Sequence, residues 1–159
     1  MSIQAQGLAT TFDAVNKAVI ASIDGCSEID WRATSAEEHW SVAVVAHHIG
    51  EVAGNFTGFI TGVTSAESHQ ASVAQDDVDR MNATHARQYA NVGKSETLAL
   101  VKANGSALSE LVAGLTDDQL AQIAGVFVGH ELTVRQLMEL AVIAHFQEHL
   151  NSINATISD

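Results

Sequence analysis

Apolar side chains recur every three or four residues along most of this sequence, which is the spacing of one face of an α-helix. The first run predicts an amphipathic helix over residues 3–22, ending near Gly25. Its apolar positions are Ile3, Leu8, Phe12, Val15, Val19 and Ile23. The polar segment that follows, residues 26–39, lacks a steady period and predicts a long surface connection in which Trp31 is an anchor.

A second helix is expected to begin at Trp40 or Ser41, where the Ser41 hydroxyl can cap it. Its apolar stripe contains a histidine and runs through Val45, His48, Ile49, Val52, Phe56, Phe59 and Val63. The adjacent His47 is rotated about 100° away from this stripe and should be more exposed. Periodicity therefore selects His48 over His47 as the inward-facing residue.

The middle of the chain predicts two more helices. After a loop over residues 64–75, acidic residues suited to a helix N-terminus open a helix over residues 76–89. Ser95 can then cap a helix that continues to Gly114. Thr116 with Gln119 has the form of a capping box and predicts one short turn.

The last part of the chain begins with its one strand-like stretch, Gly125 to His130. A single strand has no sheet to join, so this stretch is interpreted as an extended connection. Thr133 and Gln136 form another capping box, which opens a final helix reaching Ile157. Four main helices in one domain over residues 1–159 predict an all-α four-helix bundle.

Composition agrees with this fold and limits the function. The 159 residues contain no proline and are 47% apolar but only 5% aromatic, which favours unbroken helices around an aliphatic core. The net charge of −12 argues against nucleic acid and against anionic membranes. Cys26 is the only cysteine, and no signal-like or membrane-spanning run occurs, so we expect a cytoplasmic protein.

The candidate chemistry lies in the last helix. His145 and His149 are four residues apart, so they share one helix face and can bind a single metal ion through imidazole nitrogens. His48 is the best candidate for a third ligand. Nitrogen ligands suit zinc or nickel. Phe146 follows His145, so the metalloprotease motif HExxH is absent.

Other polar residues carry weaker signals. Glu51 and Glu148 are candidates for hydrogen bonding to the ligands or for acid–base catalysis, and the alternative is that each is an ordinary surface acid. Four further histidines lie in expected loops or on polar faces and should mostly be solvated: His39, His69, His85 and His130. A plain bundle with hydrogen-bonded core histidines is the alternative to any metal site.

Several of these residues together resemble a known family. Trp40-Ser41 with a histidine eight residues after the tryptophan, Asp79 to Asn82 opening a middle helix, and a closing helix with His145-xxx-His149 are similar to the DinB/YfiT-like superfamily of metal-binding four-helix bundles. The resemblance covers nearly the whole chain. It implies that a divalent metal is bound by the residues that match the family's histidines, His48, His145 and His149.

The resemblance also implies candidate functions. The superfamily includes mycothiol-dependent maleylpyruvate isomerase and bacillithiol transferases, which suggests a thiol-dependent transferase or isomerase acting on a small molecule with a low-molecular-weight thiol. The alternative is a noncatalytic bundle whose metal is structural or senses a ligand. Relatives are often dimers, and the small residues Ala53, Gly54 and Gly58 could pack a second subunit, so we expect a homodimer.

Overall fold

The apolar stripes of the sequence become the facing surfaces of four long helices. The structure is a computed structural model that describes residues 2–67 and 69–157. Its elements are α1 (Ile3–Gly25), α2 (Glu28–Arg32), α3 (Val42–Val63), β1 (Ala71–Val73), α4 (Gln75–Gln88), α5 (Lys94–Ala113), α6 (Asp117–Ala121), β2 (Ile123–Phe127), β3 (His130–Thr133), α7 (Val134–Gln136), a π-helical segment (Leu137–Ala144) and α8 (His145–Ile157).

The bundle is formed by α1, α3, α5 and the closing helix that α7, the π-helical segment and α8 make together. α5 packs against both α1 and α3, and α8 packs against the same two helices from the other side. The core between them is fully buried and contains Phe12 against Phe146, with ring centroids 5.5 Å apart, together with Ile49 and Leu108. The predicted all-α four-helix bundle is confirmed.

Local capping chemistry starts most of these helices where the sequence predicts. The Ser41 hydroxyl accepts a hydrogen bond from the Val44 amide at the start of α3. Capping boxes at Thr116 and Thr133 open α6 and α7. The predicted cap at Ser95 is wrong, because α5 begins at Lys94 and has Gly93 as its N-cap, with no side-chain cap.

The long connection after α1 is anchored by its tryptophan. A capping box between Ser27 and Asp30 forms the short helix α2. Trp31 is fully buried, and its indole Nε1 donates a hydrogen bond to the Val92 carbonyl at 3.1 Å. This connection is therefore held against the bundle instead of lying loosely on its surface.

Small residues let α3 and α5 approach closely. A Cβ added at Gly54 would lie 2.6 Å from Nδ2 of Asn104, and that Nδ2 donates to the Gly50 carbonyl at 2.9 Å. Ala53 is also in the core, at 1% exposure. The surface formed by Ala53 and Gly54 is thus used inside the chain, and only Gly58, with nothing near its added Cβ, stays open to a second subunit.

A three-stranded sheet contradicts the interpretation of residues 125–130 as an extended connection. β2 pairs in parallel with β1 and antiparallel with β3. A tight turn at Val128 and Gly129, both with positive φ, joins β2 to β3. The two partner strands could not be recognised in the sequence, because β1 has only three residues in a polar segment and β3 continues directly to the Thr133 cap. None of the helices in the described ranges is long and apolar enough to span a membrane.

Candidate metal centre

Three histidines from two helices of the bundle meet at one point. His48 lies on α3, and His145 and His149 lie one turn apart on α8. Nε2 of His145 is 3.2 Å from Nε2 of His48 and 3.0 Å from Nε2 of His149. The structure brings together the three residues that the sequence selected, although 97 positions separate His48 from His145. Their role as metal ligands stays a prediction.

Hydrogen bonds alone cannot satisfy this cluster. Nδ1 of His149 lies 2.7 Å from Oε1 of Glu38. An ionised carboxylate only accepts, so in a neutral His149 ring Nδ1 carries the proton and Nε2 carries a lone pair. Nε2 of His145 has either one proton or one lone pair, yet it faces two other Nε2 atoms. It can hydrogen-bond with one of them at most, and the other contact is left unfavourable.

A shared divalent ion would resolve this conflict. Imidazole nitrogens bind zinc at about 2.0–2.1 Å, so two of them on one ion lie about 2.9–3.4 Å apart for ligand angles between square and tetrahedral. The two observed separations, 3.2 Å and 3.0 Å, fall in that range. In the described part of the chain, the group that could hold an ion here has these three histidines and no fourth protein ligand.

Glu38 contacts one of the candidate ligands, His149, and was not selected from the sequence. Besides its contact with His149, its Oε2 accepts hydrogen bonds from Ser152 at 2.6 Å and Ser35 at 2.5 Å. Burial alone would raise the pKa of Glu38, but these hydrogen bonds, led by the one from His149, outweigh it and lower the pKa to about 2. The available signal was the spacing Ser35-x-x-Glu38, which resembles a capping box just before Trp40.

Burial and crowding keep two of the rings neutral. Desolvation, with His149 and His145 nearby, lowers the pKa of His48 to about 2. Desolvation and His149 lower the pKa of His145 to about 4. Neutral imidazole is the form that binds metal, so near neutral pH no proton has to be removed from these two rings before an ion binds.

The expectation that His47 is exposed is wrong. His47 is 4% exposed and its ring stacks on Tyr89, with centroids 3.8 Å apart. His85, expected to be solvated, is 6% exposed and its Nδ1 lies 2.8 Å from Oε2 of Glu51. The physical reason is that α4 and the residue after it cover the face of α3 that carries His47, and the stripe of α3 alone could not reveal this packing.

The remaining candidates lie apart from the three-histidine cluster. Glu51 contacts His85 instead of a predicted ligand, and Glu148 is exposed. As expected, three other histidines are exposed: His39, His69 and His130. The sequence therefore found the ligand candidates but not the acid that contacts them.

Comparison with known proteins agrees with this geometry. A sequence model of the DinB superfamily matches residues 11–153. The chain belongs to the DinB superfamily. The matched range includes all three histidines of the cluster, and both the superfamily and the histidine cluster are compatible with metal binding. No curated protein and no solved structure is significantly similar to this chain.

Proposed function

We propose that this DinB-superfamily protein binds a divalent metal through His48, His145 and His149, and that the site serves a thiol-dependent transferase or isomerase reaction on a small molecule. The observation that carries the proposal is the convergence of three Nε2 atoms, 3.0 Å and 3.2 Å apart, which hydrogen bonds cannot satisfy. Zinc and nickel both suit a set of three imidazoles.

A metal bound there supplies a Lewis acid that lowers the pKa of a coordinated water or thiol. The chain's own residues prepare the site. Glu38 accepts a hydrogen bond from Nδ1–H of His149, so the Nε2 lone pair is directed toward the other two rings. His48 and His145 are held neutral by their burial, and both are partly exposed, so a small molecule can reach them.

The ligand count supports an enzyme over a purely structural site. Structural zinc sites are closed by four protein ligands, whereas catalytic sites have three and leave a position for water or substrate. Three candidate ligands are found in the described residues of this cluster. The noncatalytic alternative keeps one supporting observation, since the ligands join α3 to α8 and an ion between them would stabilise the bundle.

The thiol in this proposal comes from outside the chain. Cys26 is 5% exposed, and its Sγ donates to the Ser22 carbonyl at 3.2 Å. Burial, together with the charge of Asp30, raises the pKa of the Cys26 thiol and makes it a poor nucleophile. A low-molecular-weight thiol of a reducing cytosol, where we expect this protein, would take that role.

The test compares the metal content of the wild type with that of two alanine variants. H145A should bind one metal equivalent fewer than the wild type, and H69A, which changes an exposed histidine, should bind as much as the wild type. A screen of low-molecular-weight thiols against electrophilic substrates should then show transfer or isomerisation with the wild type and H69A but not with H145A. Equal metal in H145A and the wild type would contradict the site, and metal without any thiol reaction would favour the noncatalytic alternative.

A further inference from the structure

A second cluster of polar side chains lies beside the three histidines and has no part in the proposed reaction. His47 and Glu51 are one turn apart on α3, and His85 reaches them from α4. The ring centroid of His85 is 5.2 Å from that of His47 and also 5.2 Å from that of His48. The two clusters are therefore neighbours. The consecutive α3 residues His47 and His48 belong to the second and the first cluster, respectively.

Two atoms of this cluster are buried without a partner. Among the described residues, Nδ1 of His47 and Nε2 of His85 are side-chain nitrogens with no hydrogen bond. Both residues are more than nine-tenths buried, at 4% and 6% exposure. Buried polar atoms are nearly always paired, so two unpaired imidazole nitrogens in adjacent rings indicate that a ligand belongs here.

The donor set is one that binds divalent metal. His47, Glu51 and His85 can each offer one ligand atom, and these atoms all lie within 4.8 Å of one another. Two histidines and one glutamate are the protein ligands of a known class of catalytic zinc sites. The Glu51 carboxylate would give this site a negatively charged ligand, whereas the candidate ligands of the first site are all neutral imidazoles.

The cluster is reachable from solvent. The side chain of Glu51 is 33% exposed. An ion can therefore reach the cluster at this partly exposed carboxylate, whose negative charge attracts cations.

We propose that His47, Glu51 and His85 form a second divalent-metal site, adjacent to the first, so that one chain binds two ions. The alternative is a simple ion pair between Glu51 and His85, whose atoms are 2.8 Å apart. That pair alone leaves both nitrogens unpaired, and it does not involve His47, which also offers a ligand atom within 4.8 Å of the other two. The two sites have no ligand in common, so either can fail without the other.

The experiment is a titration of the metal-free full-length protein with Zn²⁺ by calorimetry, repeated with Co²⁺ by absorption spectroscopy. We expect two equivalents in the wild type and one in E51Q and in H85A. E51Q keeps the shape of a partly exposed side chain while removing its charge, so it should fold normally, and far-ultraviolet circular dichroism checks this. The matched control E131Q changes an exposed glutamate and should retain both equivalents.

A variant of the first site separates the two proposals. H145A should lose one equivalent and keep the one that E51Q removes. A single equivalent in the wild type that E51Q and H85A leave unchanged would overturn the second site while leaving the first intact. Two equivalents in the wild type with an unaltered titration in E51Q would also overturn it, because Glu51 would then not be a ligand.

Discussion

Replacing Glu38 by glutamine tests whether the contact to His149 prepares a metal ligand. Glutamine has nearly the same shape and can still accept from Nδ1 of His149, while its amide group replaces the oxygen that now accepts from Ser152 and Ser35. The two hydroxyls can turn to accept from that amide. E38Q therefore removes the charge but can keep the local hydrogen bonds, which an alanine variant would not.

The expected magnitude follows from two observations. The side chain of Glu38 is 14% exposed, and its hydrogen bonds, the one with His149 first, lower its pKa to about 2, so it is ionised in any assay near neutral pH. Partners that orient a metal-bound histidine typically contribute 10- to 100-fold to metal affinity, or about 1.4–2.8 kcal/mol. We expect E38Q to weaken metal binding by that factor.

The assay is competition against a chromophoric chelator at pH 7.5, starting from metal-free protein. E37Q is the matched control, since it removes the same charge from the adjacent, exposed residue. Thermal unfolding of both metal-free variants shows whether the fold is retained. If E38Q and E37Q bind Zn²⁺ with the same affinity, Glu38 does not prepare His149 as a ligand and the proposed arrangement of the site is wrong.

Three further predictions concern stability and assembly. Because the pKa values of His48 and His145 are lowered from 6.5 to about 2 and about 4, the unfolded state of the metal-free protein takes up protons below pH 6.5 that the native state does not. Unfolding free energy should fall by up to about 4 kcal/mol between pH 7.5 and pH 5.0 in denaturant titrations, and an unchanged value would contradict the neutral, buried cluster. Metal at 100 times its dissociation constant should stabilise the fold by about 2.7 kcal/mol, so a chelator should lower the melting temperature at pH 7.5, and an unchanged melting temperature in protein shown to carry metal would contradict the bridging ion. For assembly, light scattering should give the mass of a homodimer, and the mass of one chain at micromolar concentration would refute it.

The helices and the three-histidine cluster could be predicted because both follow from local spacing. A period of 3.6 residues fixes which side chains share a face, so the pair His145 and His149 needs no knowledge of the fold. His48 follows from lying on the apolar stripe of α3, since α3 and α8 must bury their stripes in one core. For His48, the inward position predicted from α3 alone is therefore also the position that the core of the bundle requires.

The second cluster could not be found in this way, because its burial depends on an element that the pattern of α3 does not contain. His47 lies off the apolar stripe of α3, and in an isolated amphipathic helix that position would be exposed to solvent. It is buried because Tyr89 and His85 pack over it from the α4 region. The sequence pattern of α4 does not predict this packing either, because His85 is the one buried residue of an otherwise polar helix.

The closing helix shows a further limit of periodicity. The pattern that joins Met138 and Val142 to His145 assumes one uniform α-helix, but residues 137–144 form a π-helix that ends directly before His145. Hydrogen bonds to the fifth residue make each turn wider than 3.6 residues, so the directions of His145 and His149 relative to the Thr133 cap differ from those of an unbroken α-helix. π-Helical turns are rare and often occur at functional sites. This one ends directly before His145, so the positions of both α8 histidines cannot be derived from a uniform period of 3.6 residues that starts at the Thr133 cap.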